Sequence, residues 1–316
     1  VSIFRFDPTA TDLFSQANDV ASSSKVEWLD VTDPTPDELA LLAERYALHP
    51  LTLEDIQVRR QRPKAEEYRA HMFVVLYAVE AQSNSHARMH ELSIVVTSSA
   101  VITLHRGRLA EIDAAAHRWA EHCRDQARQT PAMLLYTIAD TVVDGYFPCM
   151  DAIGDQIEDL EARVFQHGNT STVEEVFRLK RLLLDVRRVV APTRDVFNAF
   201  TRRELPLLGE TSVAYFQDVY DHVIRVTETI DNYRDILSTI IDVHLTVVSN
   251  ELNQTVRTLT VASIILMTLA LIAGIYGMNF DRMPELHWRY GYYGVLLGMA
   301  ILAIFLAWIF RKLRWW

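Results

Sequence analysis

Residues 258–280 read TLTVASIILMTLALIAGIYGMNF, 23 consecutive positions without a charged side chain, and the kind of fold turns on them. At 1.5 Å per residue the stretch is long enough to cross a hydrocarbon core of about 30 Å. A second uncharged run, residues 290–310, follows after only nine residues. Either run alone could be a buried core helix, but two in such close succession predict a helical hairpin through a bilayer. Tyr290, Tyr292 and Tyr293 stand at one end of the second run and Trp308, Trp315 and Trp316 at the other, where membrane interfaces favour amphipathic rings. Arg257, Arg311, Lys312 and Arg314 flank the pair of spans, against Arg282 and Arg289 between them, so the positive-inside rule predicts both termini in the cytoplasm.

Upstream, residues 211–273 contain neither glycine nor proline. Sixty-three such residues predict one helix of roughly 95 Å running directly into the first span. Val213, Phe216, Tyr220, Val223, Val226, Ile230, Tyr233, Leu237 and Ile240 recur at threes and fours along it, which is a packing seam. A body this small cannot cover so long a helix, and a parallel homo-oligomer with a bundled stalk is expected.

The N-terminal part reads differently. Residues 2–6, 26–31, 71–79, 93–97 and 101–105 are short β-branched or aromatic runs between turn residues, predicting an antiparallel sheet. Thr35-Pro36-Asp37-Glu38 opens a helix among them, with Thr35 as cap, Pro36 in the first turn and Glu38 completing a capping box. After Gly107 the periodicity is helical through about Gln126, then over 131–165 and 172–200. The fold class is α+β. Its expected parts are an α/β domain (1–125), a helical hairpin (126–205), a stalk helix (206–257), a first span (258–280), an outer loop (281–289) and a second span with a basic tail (290–316).

Charge follows this division. The chain has 31 Lys and Arg against 41 Asp and Glu, a net of −10, yet residues 1–257 carry −13 and residues 258–316 carry +3. An acidic body argues against nucleic acid, whose affinity comes from neutralised phosphates. Cations and a lipid bilayer are the expected partners. Cys123 and Cys149 form no CxxC and have no histidine at ligand spacing, so they predict reduced structural cysteines rather than a disulfide framework or thiolate zinc site. The start of the chain alternates, carries Arg5 and shows no apolar run of signal-peptide length, so the body is expected to stay unsecreted.

Asp140, Asp144, Asp151, Asp155 and Glu158 are spaced to form an acidic face on one helix, and Lys180, Arg181, Arg187 and Arg188 make a basic stretch on a later one. The favoured expectation is that these are solvated faces pairing with each other. The alternative is that the acids concentrate cations near a pore mouth.

Within the first span and the turn before it, Asn253, Thr260, Ser263, Met267, Ala270, Gly274 and Gly277 fall on one helical face. Small residues there permit close helix packing, and the same face repeated around an axis would line a pore. Both hold together, because a narrow pore requires close approach. The face is uncharged, and small divalent cations shed their waters reluctantly, so passage of a hydrated ion is favoured.

Tyr276-Gly277-Met278-Asn279 closes the first span and Met283-Pro284-Glu285-Leu286 lies in the short loop. Together they resemble the CorA family of magnesium transporters. Leu53-Glu54-Asp55-Ile56 with Arg62-Pro63-Lys64, Asp218-Val219-Tyr220-Asp221-His222, Tyr233-Arg234-Asp235 and Asp242-Val243 follow the family's order, and the likeness runs from about residue 45 onward. The resemblance implies a homopentamer with a cytoplasmic α/β/α funnel in the inner membrane of a bacterium or archaeon. It implies an ion-admitting site at Gly277, Met278 and Asn279, which accept hydrogen bonds from the ion's waters, with Glu285 attracting cations. Pore positions carried over are Asn253, Val256, Leu259, Met267 and Gly274, with Val256, Leu259 and Met267 as apolar constrictions that gate by dewetting. Cation-sensing acids carried over are Asp55 and Asp242 on neighbouring subunits, with Glu54 and Asp218 nearby. The chain departs from the family at Thr268 and Ala270, where proline and threonine are common, and at Val256, where a larger residue is common.

A related Zn²⁺, Co²⁺ or Ni²⁺ transporter of ZntB type is the nearest alternative. The Met-Pro-Glu-Leu loop and the absence of clustered Cys or His in the spans favour Mg²⁺. A membrane-anchored sensor or enzyme is less favoured, because there is no Gly-rich phosphate loop, nucleophile triad or HExxH.

Overall fold

The computed structural model of the chain describes residues 3–7, 14–16, 26–58, 60–81, 87–123, 129–164, 170–202, 207–209, 212–278, 283 and 288–315. They form two compact units, Val1–Arg163 with Asn169–Ile240, and Val164–Gly168 with Ile241–Trp316.

The first unit is built on a seven-stranded sheet in the order β2-β1-β3-β7-β6-β5-β4, from β1 (Ile3–Phe6), β2 (Phe14–Gln16), β3 (Glu27–Thr32), β4 (Lys64–Glu67), β5 (Met72–Ala81), β6 (Ala87–Val96) and β7 (Ala100–His105). The expected antiparallel sheet needs correction at its centre, because β3 and β7 pair in parallel with Leu29 opposite Ile102. That pairing brings together strands separated by two helices and three strands, a long crossover that local spacing does not record. In β5 and β7 nearly every residue is buried, so these strands read as continuous apolar runs covered on both faces.

One face carries α1 (Pro36–Tyr46) and α2 (Pro50–Val58), whose Leu39, Leu42 and Ile56 close a core with Leu29, Val31, Phe73, Val75, Ile102 and Leu104. The expected cap of α1 is present in full: Thr35 Oγ1 accepts from the Glu38 amide and Glu38 accepts from the Thr35 amide. Ala47 ends that helix in the left-handed region at φ 51°. On the other face lie α3 (Ala110–His122) and α4 (Pro131–Asp144), followed by α5 (Tyr146–Val164) and α6 (Thr170–Arg202). The buried Tyr146 hydroxyl donates to the Tyr77 carbonyl at 2.7 Å and ties the start of α5 to β5. The single helix expected over 131–165 is two, separated at Gly145.

The long helix α7 (Val213–Tyr276) is unbroken for 64 residues. Phe216, Val223, Val226, Ile230, Leu237 and Ile240 are buried as the seam requires, with Val219 in place of Tyr220, while Val213 is exposed. Phe216 meets Tyr136, Phe197 and Phe200 in an aromatic cluster. Tyr233 lies so close to Gly154 of α5 that a Cβ there would sit 2.4 Å from its hydroxyl. The chain therefore covers its own seam as far as Ile240. A face of α7 left for another subunit to cover lies further on, where Leu245, Val248 and Leu252 are exposed at 60, 40 and 64 %.

The expected pairing of the acidic and basic faces also needs correction. Lys180 donates to Ser238, Arg187 pairs with Asp231 and Arg188 with Asp185 of its own helix. Asp140 and Asp144 belong to α4, and Asp151, Asp155 and Glu158 to α5.

In the second unit the C-terminal part of α7 and α8 (Gly291–Lys312) are both long and apolar enough to cross a membrane. Trp288 packs against Gly294, where a Cβ would approach its ring to 3.2 Å, so that glycine makes room for the indole at the start of α8.

Candidate ion pathway and cation-sensing acids

Asn253, Val256, Leu259, Ser263, Met267, Ala270 and Gly274 all lie on α7 and are all exposed. The apolar positions Val256, Leu259 and Met267 are 52, 67 and 72 % exposed, although burial would be the resting place of such side chains in a water-soluble helix. The hydroxyls of Thr260 and Thr268 donate to the carbonyls four residues back, Val256 and Ile264, at 2.8 and 2.7 Å. Their donors are thereby turned onto the helix, and from residue 258 to Met278 the surface is free of charge. The helix closes through the Gly277 and Met278 amides, which donate to the carbonyls of Ala273 and Ile275. Met278 is 48 % exposed at that end. Asn279 and Glu285 lie outside the described residues.

Among the acids of the first unit, Asp55 and Glu66 share one cationic partner. Glu54 and Asp55 stand on α2. The Asp55 carboxylate receives the Lys64 ammonium at 2.6 Å, and the same ammonium reaches Glu66 at 2.9 Å. Lys64, ahead of the opposing effect of burial, holds the Glu66 carboxyl below the usual carboxylate range. Arg234 pairs with Asp231 of its own helix. Asp218 is exposed on α7, while Asp242 is exposed in the second unit.

Beside Asp218 lies a convergence of side chains that sequence spacing does not show. Asp140 and Asp144 from α4 meet His222 from α7, with one potential ligand atom from each lying within 4.8 Å of the others. His222 Nδ1 is 3.4 Å from Asp144 Oδ1 and 3.8 Å from Asp140 Oδ1, and Nε2 is 4.0 Å from Asp218. Arg118 of α3 pairs with Asp140, reaches Asp144 at 3.3 Å and donates to Thr141 at 3.1 Å. Asp140 Oδ1 and His222 Nδ1 are nevertheless buried without a hydrogen-bond partner. Burial pushes the Asp140 carboxyl up, and the Asp144 charge adds to the push, against the pull of Arg118. Two ligands about 2.1 Å from one divalent ion stand about 3.0–3.4 Å apart, so two carboxylates and an imidazole at these separations fit a cation with slight closure. The signal lay in residues 140, 144 and 222, but no spacing rule joins positions on separate helices.

Comparison with known proteins agrees with this organisation. Residues 23–312 match the family described as CorA-like Mg²⁺ transporter protein. The cobalt/magnesium transport protein CorA of Thermotoga maritima is 36 % identical over 296 residues, covering 93 % of this chain and 84 % of that protein. A putative metal ion transporter of Bacillus subtilis is 35 % identical over 286 residues, covering 90 and 88 %. The complete structure of the CorA magnesium transporter from Methanocaldococcus jannaschii superposes with a TM-score of 0.82 at 21 % identity, over 99 % of this chain and 98 % of that one. The ZntB cytoplasmic domain from Vibrio parahaemolyticus gives 0.63 at 16 % identity over 78 and 98 %, a likeness of fold alone. With the match running from before β3 through α8, and more than a third of aligned positions shared with a family member, this chain belongs to the CorA-like Mg²⁺ transporter family.

Proposed function

We propose that the chain is one subunit of a homopentameric channel that passes hydrated Mg²⁺, and Co²⁺ as a congener, across the cell membrane into the cytoplasm. Both termini lie on the cytoplasmic side and the first unit forms the funnel. The observation that carries this reading is the exposed, charge-free face of α7 from Leu259 to Met278 in a chain of this family. Dehydrated Mg²⁺ would need six closely placed oxygens, which that face does not offer, whereas a hydrated ion needs only acceptors for its waters. Gly277, Met278 and Asn279 admit the ion at the outer end, and Glu285 draws cations to it. Asn253, Ser263, Ala270 and Gly274 line the path, and Val256, Leu259 and Met267 form apolar rings that close it by excluding water. Self-association is supported by the exposed Leu245, Val248 and Leu252, an apolar set at steps of three and four that begins beyond the covered seam of α7. A membrane potential of 100 mV, negative inside, contributes about 4.6 kcal/mol to the movement of a doubly charged ion, enough to drive uptake without another energy source.

Internal Mg²⁺ closes the channel by binding Asp55 and Asp242 of adjoining subunits, with Glu54 and Asp218 close by. The unpartnered Asp140 Oδ1 and His222 Nδ1 support a further cation position beside Asp218. Flux into liposomes carrying a Mg²⁺-sensitive dye tests the reading. The native chain is expected to conduct and Asn279→Ala to abolish uptake while the oligomer persists on size exclusion. Uptake at the native rate in that variant removes the assignment of the outer site.

A further inference from the structure

Lys64 leads β4, directly after the connection from α2, and Lys64 pairs with Val75 of β5 in the sheet. That register fixes where its side chain starts. The ammonium bridges Asp55 and Glu66 at 2.6 and 2.9 Å and lies 5.7 Å from the Phe73 ring centroid. Asp55 and Lys64 retain only 20 and 25 % of their side-chain exposure, so the pair is shielded more than a surface bridge. Glu66 is itself anchored, because the Tyr68 hydroxyl donates to its second oxygen at 2.8 Å. Tyr68 in turn is stacked between His49 and His71, with ring centroids 4.6 and 4.9 Å away. His71 is fully buried and bonded to Thr52 of α2 at 2.9 Å. The acid that faces the ammonium opposite Asp55 therefore stands on a rigid support.

We propose that Lys64 is a tethered competing cation that sets how much internal Mg²⁺ is needed to engage Asp55, and that Glu66 is the place to which its ammonium withdraws. This rests on the reading of Asp55 as a regulatory carboxylate. Mg²⁺ keeps most of its waters and binds through one or two carboxylates, so it competes with Lys64 for the same few oxygen lone pairs. Lysine suits the role because its charge is compact and its three donors rotate on a flexible stem, whereas an arginine would clamp a carboxylate with two parallel bonds. With Glu66 in reach, releasing Asp55 does not leave the ammonium unpaired, and the exchange costs little. The tether thus weakens Mg²⁺ binding without abolishing it, as a sensor of an abundant cytoplasmic ion requires.

The test uses the full chain in detergent and reads the Mg²⁺ concentration giving half-maximal protection from chymotrypsin. Lys64→Met keeps the apolar stem over Phe73 and removes the charge, and is expected to lower the midpoint about three- to tenfold. Lys64→Arg is expected to hold it at or above the native value. Asp55→Asn is expected to raise the midpoint, and Lys64→Met added to Asp55→Asn to have no further effect. If Asp55→Asn shifts the midpoint but Lys64→Met does not lower it, the tether is overturned while the regulatory reading of Asp55 stands. If Asp55→Asn leaves the midpoint in place, that reading falls and takes the tether with it. A Lys64→Met shift of equal size with and without Asp55 also overturns it, since the effect would then not pass through this carboxylate.

Discussion

Replacing Arg118 by methionine tests whether the α3–α4–α7 junction is held by charge pairing at Asp140. Asp140 is 3 % exposed, and Arg118 is the cation that hydrogen-bonds it, His222 Nδ1 standing off at 3.8 Å. Removing one partner of a buried ion pair typically costs about 3–5 kcal/mol, because the other charge is left desolvated. The Arg118 side chain is 39 % exposed and Asp144 45 %, so water screens part of the interaction. A loss of about 2–3 kcal/mol is expected, which lowers the apparent Tm by about 5–10 °C for a unit of this size. The assay is intrinsic-fluorescence melting of the detergent-solubilised protein at a fixed scan rate. In an Asp140→Asn background the buried charge is gone, and the same Arg118→Met change should cost less than about 1 kcal/mol. Millimolar Mg²⁺ should restore more of the lost Tm in Arg118→Met than it adds to the native chain, because the competing guanidinium no longer occupies the acids. Equal Tm losses in the two backgrounds would refute the pairing argument.

Two further outcomes follow from other parts of the molecule. Leu259→Asn places an amide in the proposed apolar constriction and is expected to raise flux at high internal Mg²⁺; an unchanged leak locates the barrier elsewhere. His105 is buried between the Asp30 carboxylate at 3.0 Å and the Gly107 carbonyl at 2.7 Å, two acceptors that both ring nitrogens meet as donors when protonated. Burial opposes its charge, but Asp30, the Gly107 carbonyl and Asp33 outweigh burial and raise its pKa. The stabilisation is therefore complete below about pH 6.5, the unfolded value, and fades as pH rises through the higher folded value. Tm measured from pH 6 to 9 should fall in the native chain and fall less in Asp30→Asn; parallel profiles would exclude His105 as the source.

What the sequence disclosed and what it concealed divide along a physical line. The absence of glycine and proline over 211–273, the charge-free runs and the Thr35–Glu38 capping box are each properties of one element, and each was legible from spacing alone. The helix α2 escaped because only Thr52 and Ile56 of its nine residues are buried, too few to write a helical period. The acids at 140, 144, 151, 155 and 158 kept helical spacing across the break at Gly145, so one face was expected where two helices carry it. Convergences between elements leave still less trace. Asp140 and His222 stand on different helices, and their meeting depends on how α7 packs through Phe216 and Tyr233, a matter of side-chain volume and not of period. The same limit explains the seam of α7. Apolar residues run on past Ile240, after a step of five to Leu245, yet the chain itself buries the stretch to Ile240 and leaves Leu245, Val248 and Leu252 exposed. Periodicity states that a face seeks cover, while only the packing distinguishes a face already covered from one still available to another subunit.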